Sequence, residues 1–191
     1  MTRVRGTKNP DLQRIVDLRP DVVLANEEEN RPADLQAMRE AGLSVWVTRI
    51  RTVPEAFTSL REMLAVACGL GVPGWLSDAE RQWRLPATGQ ARRSAIIPIW
   101  RRPWMVVGRD TFTGDVLARL GVDNVYADHP ERYPKVGLNE LRSCGADLVV
   151  LPDEPYAFTA EDGPPDFAPL ACALVSGRHL TWYGPSLREA P

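Results

Sequence analysis

The segment Leu12-x-x-Ile15-x-x-Leu18-Arg19-Pro20-Asp21-Val22-Val23-Leu24 recurs later in the chain. It lies over Leu138-x-x-Leu141-x-x-Cys144-Gly145-Ala146-Asp147-Leu148-Val149-Val150 at a constant spacing of 126 positions. Each copy reads as a helix, a tight turn, an aspartate, a buried strand and then an acidic loop, with Glu27 over Asp153 and Glu28 over Glu154. A helix that packs back on the face of a parallel strand requires that order. The repeat implies two similar α/β lobes with parallel sheets.

The rest of the chain fits that rhythm. Asn9-Pro10-Asp11 reads as a helix start with Pro in the first turn, and Arg19-Pro20 stops that helix. Val22–Ala25 reads as a buried strand, Pro32–Ala41 as a helix stopped by Gly42, and Ser44–Thr48 as a second strand. From Thr52 to Leu70 the rhythm breaks. Phe57, Leu60, Leu64 and Ala67 recur at helical spacing, so one long amphipathic helix is expected, opened by a Thr52/Glu55 capping box. Ser77–Leu85 reads as a further helix and Leu85–Gln90 as a linker. Beyond it the expected elements are strands at Ser94–Trp100 and Trp104–Val107, a helix over Asp110–Leu120 and a strand over Asn124–Ala127. A helix over Leu138–Cys144, a strand over Asp147–Leu151, a weak helix over Phe167–Leu174 and a last strand over His179–Trp182 complete the series. The domain expectation is an N-terminal lobe over 1–51, an interlobe helix and linker over 52–90 and a C-terminal lobe over 91–191. About 40 residues (Ser94–Tyr133) precede the second copy of the repeat and only about ten precede the first. Equivalent lobes therefore predict a chain shortened at its N-terminus, its first lobe lacking opening strands and a helix.

Composition excludes several classes. The net charge is -2 and the sequence pI about 5.8. A nucleic-acid binder carries a basic stripe, so neither nucleic acid nor an anionic membrane surface is an expected partner. The charge-free stretch Met63–Leu76 is 14 residues long and broken by Gly69, Gly71, Pro73 and Gly74. A membrane-spanning helix needs ~20. Cys68, Cys144 and Cys172 lack C-x-x-C spacing and read as small buried hydrophobes. Asp128-His129 is a conceivable metal pair, but a lone His beside Pro is more often structural. No Gly-x-Gly-x-x-Gly, phosphate loop, Gly-x-Ser-x-Gly or His-Glu-x-x-His occurs, so catalysis is not expected.

Several blocks stand out, of which Trp100–Trp104 and Asp128–Pro134 look specific and the Pro20-Asp21-strand pattern is generic. Gly6-Thr7-Lys8-Asn9-Pro10-Asp11-Leu12, Leu18-x-Pro20-Asp21-x-Val23 and Asn26-Glu27-Glu28-Glu29-Asn30 come first. Trp100-Arg101-Arg102-Pro103-Trp104, Gly108-Arg109-Asp110-Thr111 and Asp128-His129-Pro130-Glu131-Arg132-Tyr133-Pro134 follow. Leu151-Pro152-x-Glu154-Pro155-Tyr156 and His179-Leu180-Thr181-Trp182-Tyr183-Gly184 complete the set. Together they resemble the helical-backbone metal receptors, the substrate-binding proteins of ABC importers for cobalamin and iron-siderophores. The resemblance covers nearly the whole chain. It implies a class III periplasmic-binding-protein-like fold: two Rossmann-like lobes joined by a long α-helix, the first apparently truncated. It also implies a ligand held in the interlobe cleft without chemistry, no intrinsic cofactor, and docking on an ABC permease through acids on each lobe. Such proteins are periplasmic or at the cell surface. Met1–Gly6 shows no apolar signal stretch, so the chain is expected in the cytoplasm unless it is shortened at its N-terminus.

Ligands of α/β sheets sit at the C-terminal ends of the strands. That rule selects Asn26, Glu27, Trp100, Arg101, Arg102, Trp104, Glu154, Tyr156, Trp182 and Tyr183 as candidate ligand-binding residues. The aromatics suit a flat macrocycle or catecholate and the arginines its carboxylates or phosphate, with core packing and a solvated turn as the plainer alternatives. Glu29, Asp34, Glu161 and Asp162 are the candidate docking acids, with a solvated acidic loop as the alternative for Glu27–Glu29. The competing reading of the whole chain is a cytosolic α/β enzyme or chelate-handling protein that keeps the fold without export; a third is a non-functional fragment.

Overall fold

The computed structural model describes residues 2–84 and 91–189. The expected linker Leu85–Gln90 lies outside the described residues. The chain divides into two compact units, one of Met1–Ile50 with Thr58–Val72 and one of Arg51–Phe57 with Pro73–Pro191.

The first unit opens with a small antiparallel pair, β1 (Arg5–Gly6) and β2 (Asn9–Pro10). The side chain of Asp11 then caps α1 (Leu12–Leu18), accepting the Arg14 N–H at 3.2 Å. Pro10 therefore precedes the cap and is paired in β2, not placed in the first turn as expected. α1 leads into β3 (Val23–Asn26), α2 (Pro32–Glu40) and β4 (Val45–Thr48). Strands β3 and β4 are parallel, in register from Val23 opposite Val45 to Asn26 opposite Thr48. Alternation along them turns Val23, Ala25, Val45 and Val47 to one face. That face packs against buried Ile15 of α1 and Leu35 and Met38 of α2. Each such side chain removed from water contributes ~1.5–3 kcal/mol, which is why the apolar spacing of the two short helices suffices to fix them.

Helix α3 (Val53–Glu62) begins with the expected capping box. Thr52 Oγ1 accepts the Glu55 N–H and Glu55 Oε2 accepts the Thr52 N–H, both at 3.2 Å. Its first turn is further held by the Asp115 carboxylate, which accepts the Val53 N–H at 2.7 Å. The helix is not α-helical to Leu70, as its spacing predicts. Met63–Ala67 widens into a π-helical turn, with the Cys68 N–H on the Met63 carbonyl at 3.1 Å, and Gly69 leaves it at φ +63°.

The second unit continues with α4 (Gly74–Trp83), β5 (Arg93–Ile96), β6 (Pro98–Trp100), β7 (Met105–Val106), α5 (Phe112–Arg119) and β8 (Val122–Asn124). It ends with α6 (Leu138–Ser143), β9 (Leu148–Pro152), α7 (Pro164–Phe167), β10 (Ala171–Val175), α8 (Gly177–Thr181) and a 3-10 turn, Pro185–Arg188. Its main sheet is parallel throughout, in the order β10-β9-β5-β8. Val149, Leu151, Ile96, Leu141 and Phe167 form its core with Val106, Val136, Ala146 and Phe158.

Four expectations are corrected here. The single strand over Ser94–Trp100 is two: β5 belongs to the parallel sheet, whereas β6 turns away at Pro98 and pairs antiparallel with β7. The strand expected over Asn124–Ala127 ends at Asn124, whose amide donates to the Val107 and Gly108 carbonyls and whose Oδ1 accepts the Tyr126 N–H. The helix expected over Phe167–Leu174 stops at Phe167, two residues before Pro169, and Ala171–Val175 becomes a strand beside β9. The strand expected over His179–Trp182 is instead the short helix α8. Finally, the three cysteines are half-buried, with Cys144 and Cys172 packed against the core.

Candidate ligand-binding site

In the second unit, the segments that follow β6, β9 and α8 carry most of the candidate residues. The chain leaves β6 at Trp100, which is 44% exposed. Trp100 meets Tyr156, from the loop after β9, edge to face at 5.7 Å, and Tyr156 in turn lies 4.7 Å from Phe158. Arg101, whose side chain is 15% exposed, pairs with Asp162 and, at 3.1 Å, with Asp166. Its guanidinium carbon stands 5.2 Å from the centre of the Trp104 ring, a cation–π arrangement. Tyr156 donates its hydroxyl to the other oxygen of Asp162 at 2.5 Å. Trp104 stacks at 6.0 Å with Phe158 and meets Phe167 at 5.1 Å, so its indole belongs to the core and supports the cluster from beneath.

A second constellation flanks it. Trp182, 60% exposed, is held by a hydrogen bond from its indole N–H to the Glu154 carboxylate at 2.8 Å. The loop after β9 is clamped to the start of α8. Asp153 accepts the Gly177 N–H at 2.6 Å and donates its own N–H to the Val175 carbonyl at 3.2 Å. Gly177 is buried so closely against Glu154 that a β-carbon there would lie 2.7 Å from the Glu154 nitrogen and Cβ. Tyr183 packs edge to face on Phe112 at 5.4 Å. Arg102 is exposed, at φ +65°.

The candidates in the first unit have local partners. Asn26 organises its own loop: its Oδ1 accepts the Glu28 N–H at 2.8 Å and its amide donates to Thr48 Oγ1 at 3.2 Å. Glu27 pairs with Arg49 at 2.9 Å. Exposed Glu29 accepts the Thr7 hydroxyl at 3.2 Å. Asp34 is buried, with both carboxylate oxygens engaged by Arg31 at 2.7 and 3.0 Å. Of the remaining acids, Glu161 is exposed and Asp162 is the partner of Arg101.

Sequence reasoning missed Asp166, Phe158 and Gly177. Asp166 and Phe158 become neighbours of the site only through the fold of the 153–170 loop, and nothing in their local sequence marks them. Gly177 was detectable in principle as a glycine directly after a strand, where a close backbone approach is common. No cluster of metal-ligating side chains occurs among the described residues. His129 uses Nδ1 to accept the Glu131 N–H at 3.0 Å.

The exposed indoles Trp100 and Trp182 thus stand at the end of β6 and just after α8, and Tyr156 in the loop after β9. Among solved structures the chain matches the periplasmic vitamin B12 binding protein BtuF of Vibrio cholerae with a TM-score of 0.75. That match covers 98% of this chain and 77% of the other at 15% identity. A periplasmic heme binding protein from Pseudomonas aeruginosa matches with a TM-score of 0.74, over 96% of this chain and 73% of the other at 20% identity. The chain has the fold of the periplasmic substrate-binding proteins. In sequence this binding-protein fold is 23% identical over 155 residues to the vitamin B12-binding protein of Salmonella typhi, covering 74% of this chain. The chain spans about half the length of that relative, 54%. No family model matches the sequence. No helix among the described residues is long and apolar enough to cross a membrane.

Proposed function

We propose that the chain acts as the substrate-binding component of an ABC importer and takes a metal chelate of the cobalamin or ferric-siderophore kind. The observation that carries this reading is the platform of Trp100, Tyr156 and Trp182. Two large indoles stand open to solvent, yet each is fixed, Trp100 by the Tyr156 ring and Trp182 by Glu154. Fixed aromatic faces lose little entropy on binding and suit a flat or apolar ligand surface. The relatives named above, which bind vitamin B12 or heme, support the same ligand class. The chelate is cargo, so the site needs no acid, base or nucleophile. An exposed acid remains available for a basic permease surface on each unit, Glu29 on the first and Glu161 on the second, while Asp34 and Asp162 are paired with Arg31 and Arg101.

Titration of the full chain with cyanocobalamin, haem and ferric siderophores, read by tryptophan fluorescence, tests the reading. Saturable quenching by one of them is expected. Trp100→Ala and Trp182→Ala should each weaken that ligand ~3- to 10-fold, the worth of one aromatic contact. Failure of all these chelates to bind, or unchanged binding in both variants, refutes the proposal.

A further inference from the structure

Resting on the reading above, we infer that the site selects neutral or cationic chelates and rejects polyanionic ones, because its central arginine is already neutralised from within. Arg101 is the cation best placed to receive a ligand carboxylate, but Asp162 and Asp166 hold its guanidinium. The nitrogen that they leave over, Nε, is buried away from solvent and makes no hydrogen bond, so a ligand cannot reach it. Two carboxylates against one guanidinium leave an excess negative charge. Asp153, Glu154 and Glu161, all exposed, add to it along the same loop. Arg142 donates its Nε–H to the Asp166 carbonyl, which brings one cation to the outer side of the pair. Exposed Arg102 is another, and Arg178, next to Gly177 and paired with Glu189, is a third; with Arg101 and Glu189 included, the acids still outnumber the cations. Tyr156, the aromatic nearest the pair, spends its hydroxyl hydrogen on Asp162 and therefore offers a ligand only its ring and an oxygen lone pair. The Trp182 N–H is likewise spent on Glu154. The platform thus presents π-faces and acceptors, with the donors of Arg101, Tyr156 and Trp182 already engaged and exposed Arg102 as the remaining cationic donor. Such a surface attracts apolar or positive groups and repels an anion, with little screening where the pair is part-buried.

Calorimetric titration of the full chain with cyanocobalamin (neutral), the ferric complex of desferrioxamine B (a monocation) and ferric enterobactin (a trianion) separates the possibilities. The expected result is binding of the neutral or cationic probe at least ~10-fold tighter than the trianion. Raising salt from about 50 to about 500 mM should improve any residual trianion binding, because screening relieves repulsion. Asp162→Asn combined with Asp166→Asn keeps hydrogen-bonding oxygens beside Arg101 but removes both negative charges, and should narrow the preference for the neutral over the trianionic probe ~10-fold. Tighter binding of the trianion by the unmodified protein, weakened by salt, overturns this inference and leaves the chelate-binding reading standing. Binding of none of the three overturns both. The titrations of the unmodified protein decide the matter even if the double variant does not fold.

Discussion

Replacing Gly177 by alanine tests how tightly the loop after β9 is clamped to α8. The backbone of Gly177 has no positive φ, so alanine is conformationally allowed there and the question is one of space. A β-carbon would stand 2.7 Å from both the nitrogen and the Cβ of Glu154 and 3.0 Å from its Cα. None of these is the far end of a flexible side chain. Either α8 or the loop must therefore shift by several tenths of an ångström, a strain of ~1–3 kcal/mol. The same shift lengthens the Gly177 N–H bond to Asp153, now 2.6 Å. Against this, removing a glycine restricts the unfolded chain and stabilises by ~0.4–1 kcal/mol. Strain wins, and a net loss of ~1–2 kcal/mol is expected, seen as a lower urea midpoint for the second unit. Asp153→Ala, which removes the acceptor without adding bulk, separates the hydrogen bond from the clash. Since Glu154 holds Trp182, Gly177→Ala should also change Trp182 emission. A Gly177→Ala protein as stable as the parent would refute the reasoning, because the contact would then be slack.

Other perturbations read other parts of the structure. Asp147 is held below the ordinary carboxylate range of 3.8 by the Ser94 N–H and hydroxyl. A depressed folded pKa gives stability present above 3.8 and lost as pH falls through the folded value, so Asp147→Asn should flatten the dependence of the urea midpoint on pH below about 4. The Tyr126 phenol is pushed up to about 12, first by burial and then by the Glu140 charge. Its ultraviolet titration should lie near that value and fall part of the way towards 10 in Glu140→Gln, burial remaining. That raised pKa contributes stability which is intact below 10 and lost as pH rises through 12. Trp83→Phe removes the indole N–H that the buried Leu187 carbonyl accepts at 2.8 Å. The orphaned carbonyl should cost ~1–3 kcal/mol in chemical denaturation.

The parallel architecture was legible because its signals are local. The turn after α1 and the turn after α6 place aligned residues in the left-handed region, Arg19 at φ 46° and Gly145 at φ 81°. The aligned strands β3 and β9 then follow. The capping box at Thr52 and Glu55 was equally local. What failed was decided by tertiary partners. Ala171–Val175 has a composition that fits a helix as well as a strand, and only the free edge of β9 made it a strand. The expected strand His179–Trp182 ends in the strand-forming Thr181 and Trp182, but the close approach of Gly177 to Glu154 sets the start of a short helix there. The break at Pro98 follows from its missing N–H, yet the sequence did not show that the strand after it would pair with β7.

At the candidate site the same division holds, with a chemical consequence. Glu154 and Tyr156 were readable as residues at the end of a parallel strand, where loops converge, whereas Trp100 and Arg101 follow the antiparallel β6 and Trp182 the helix α8. Their mutual pairing was not readable, since every element from β7 to β9 lies between Arg101 and Asp166, which is itself in α7. A sequence reader assigns an arginine in such a loop to the ligand; the fold instead spends Arg101 on Asp162 and Asp166, and it spends the Tyr156 hydroxyl on the same Asp162. A half-buried guanidinium without those carboxylates would be left unpaired, at a cost of several kcal/mol, so the two acids stabilise the arrangement of this loop. The contacts that hold Tyr156, and through its ring Trp100, are therefore the ones that neutralise Arg101, whereas Trp182 is held separately by Glu154.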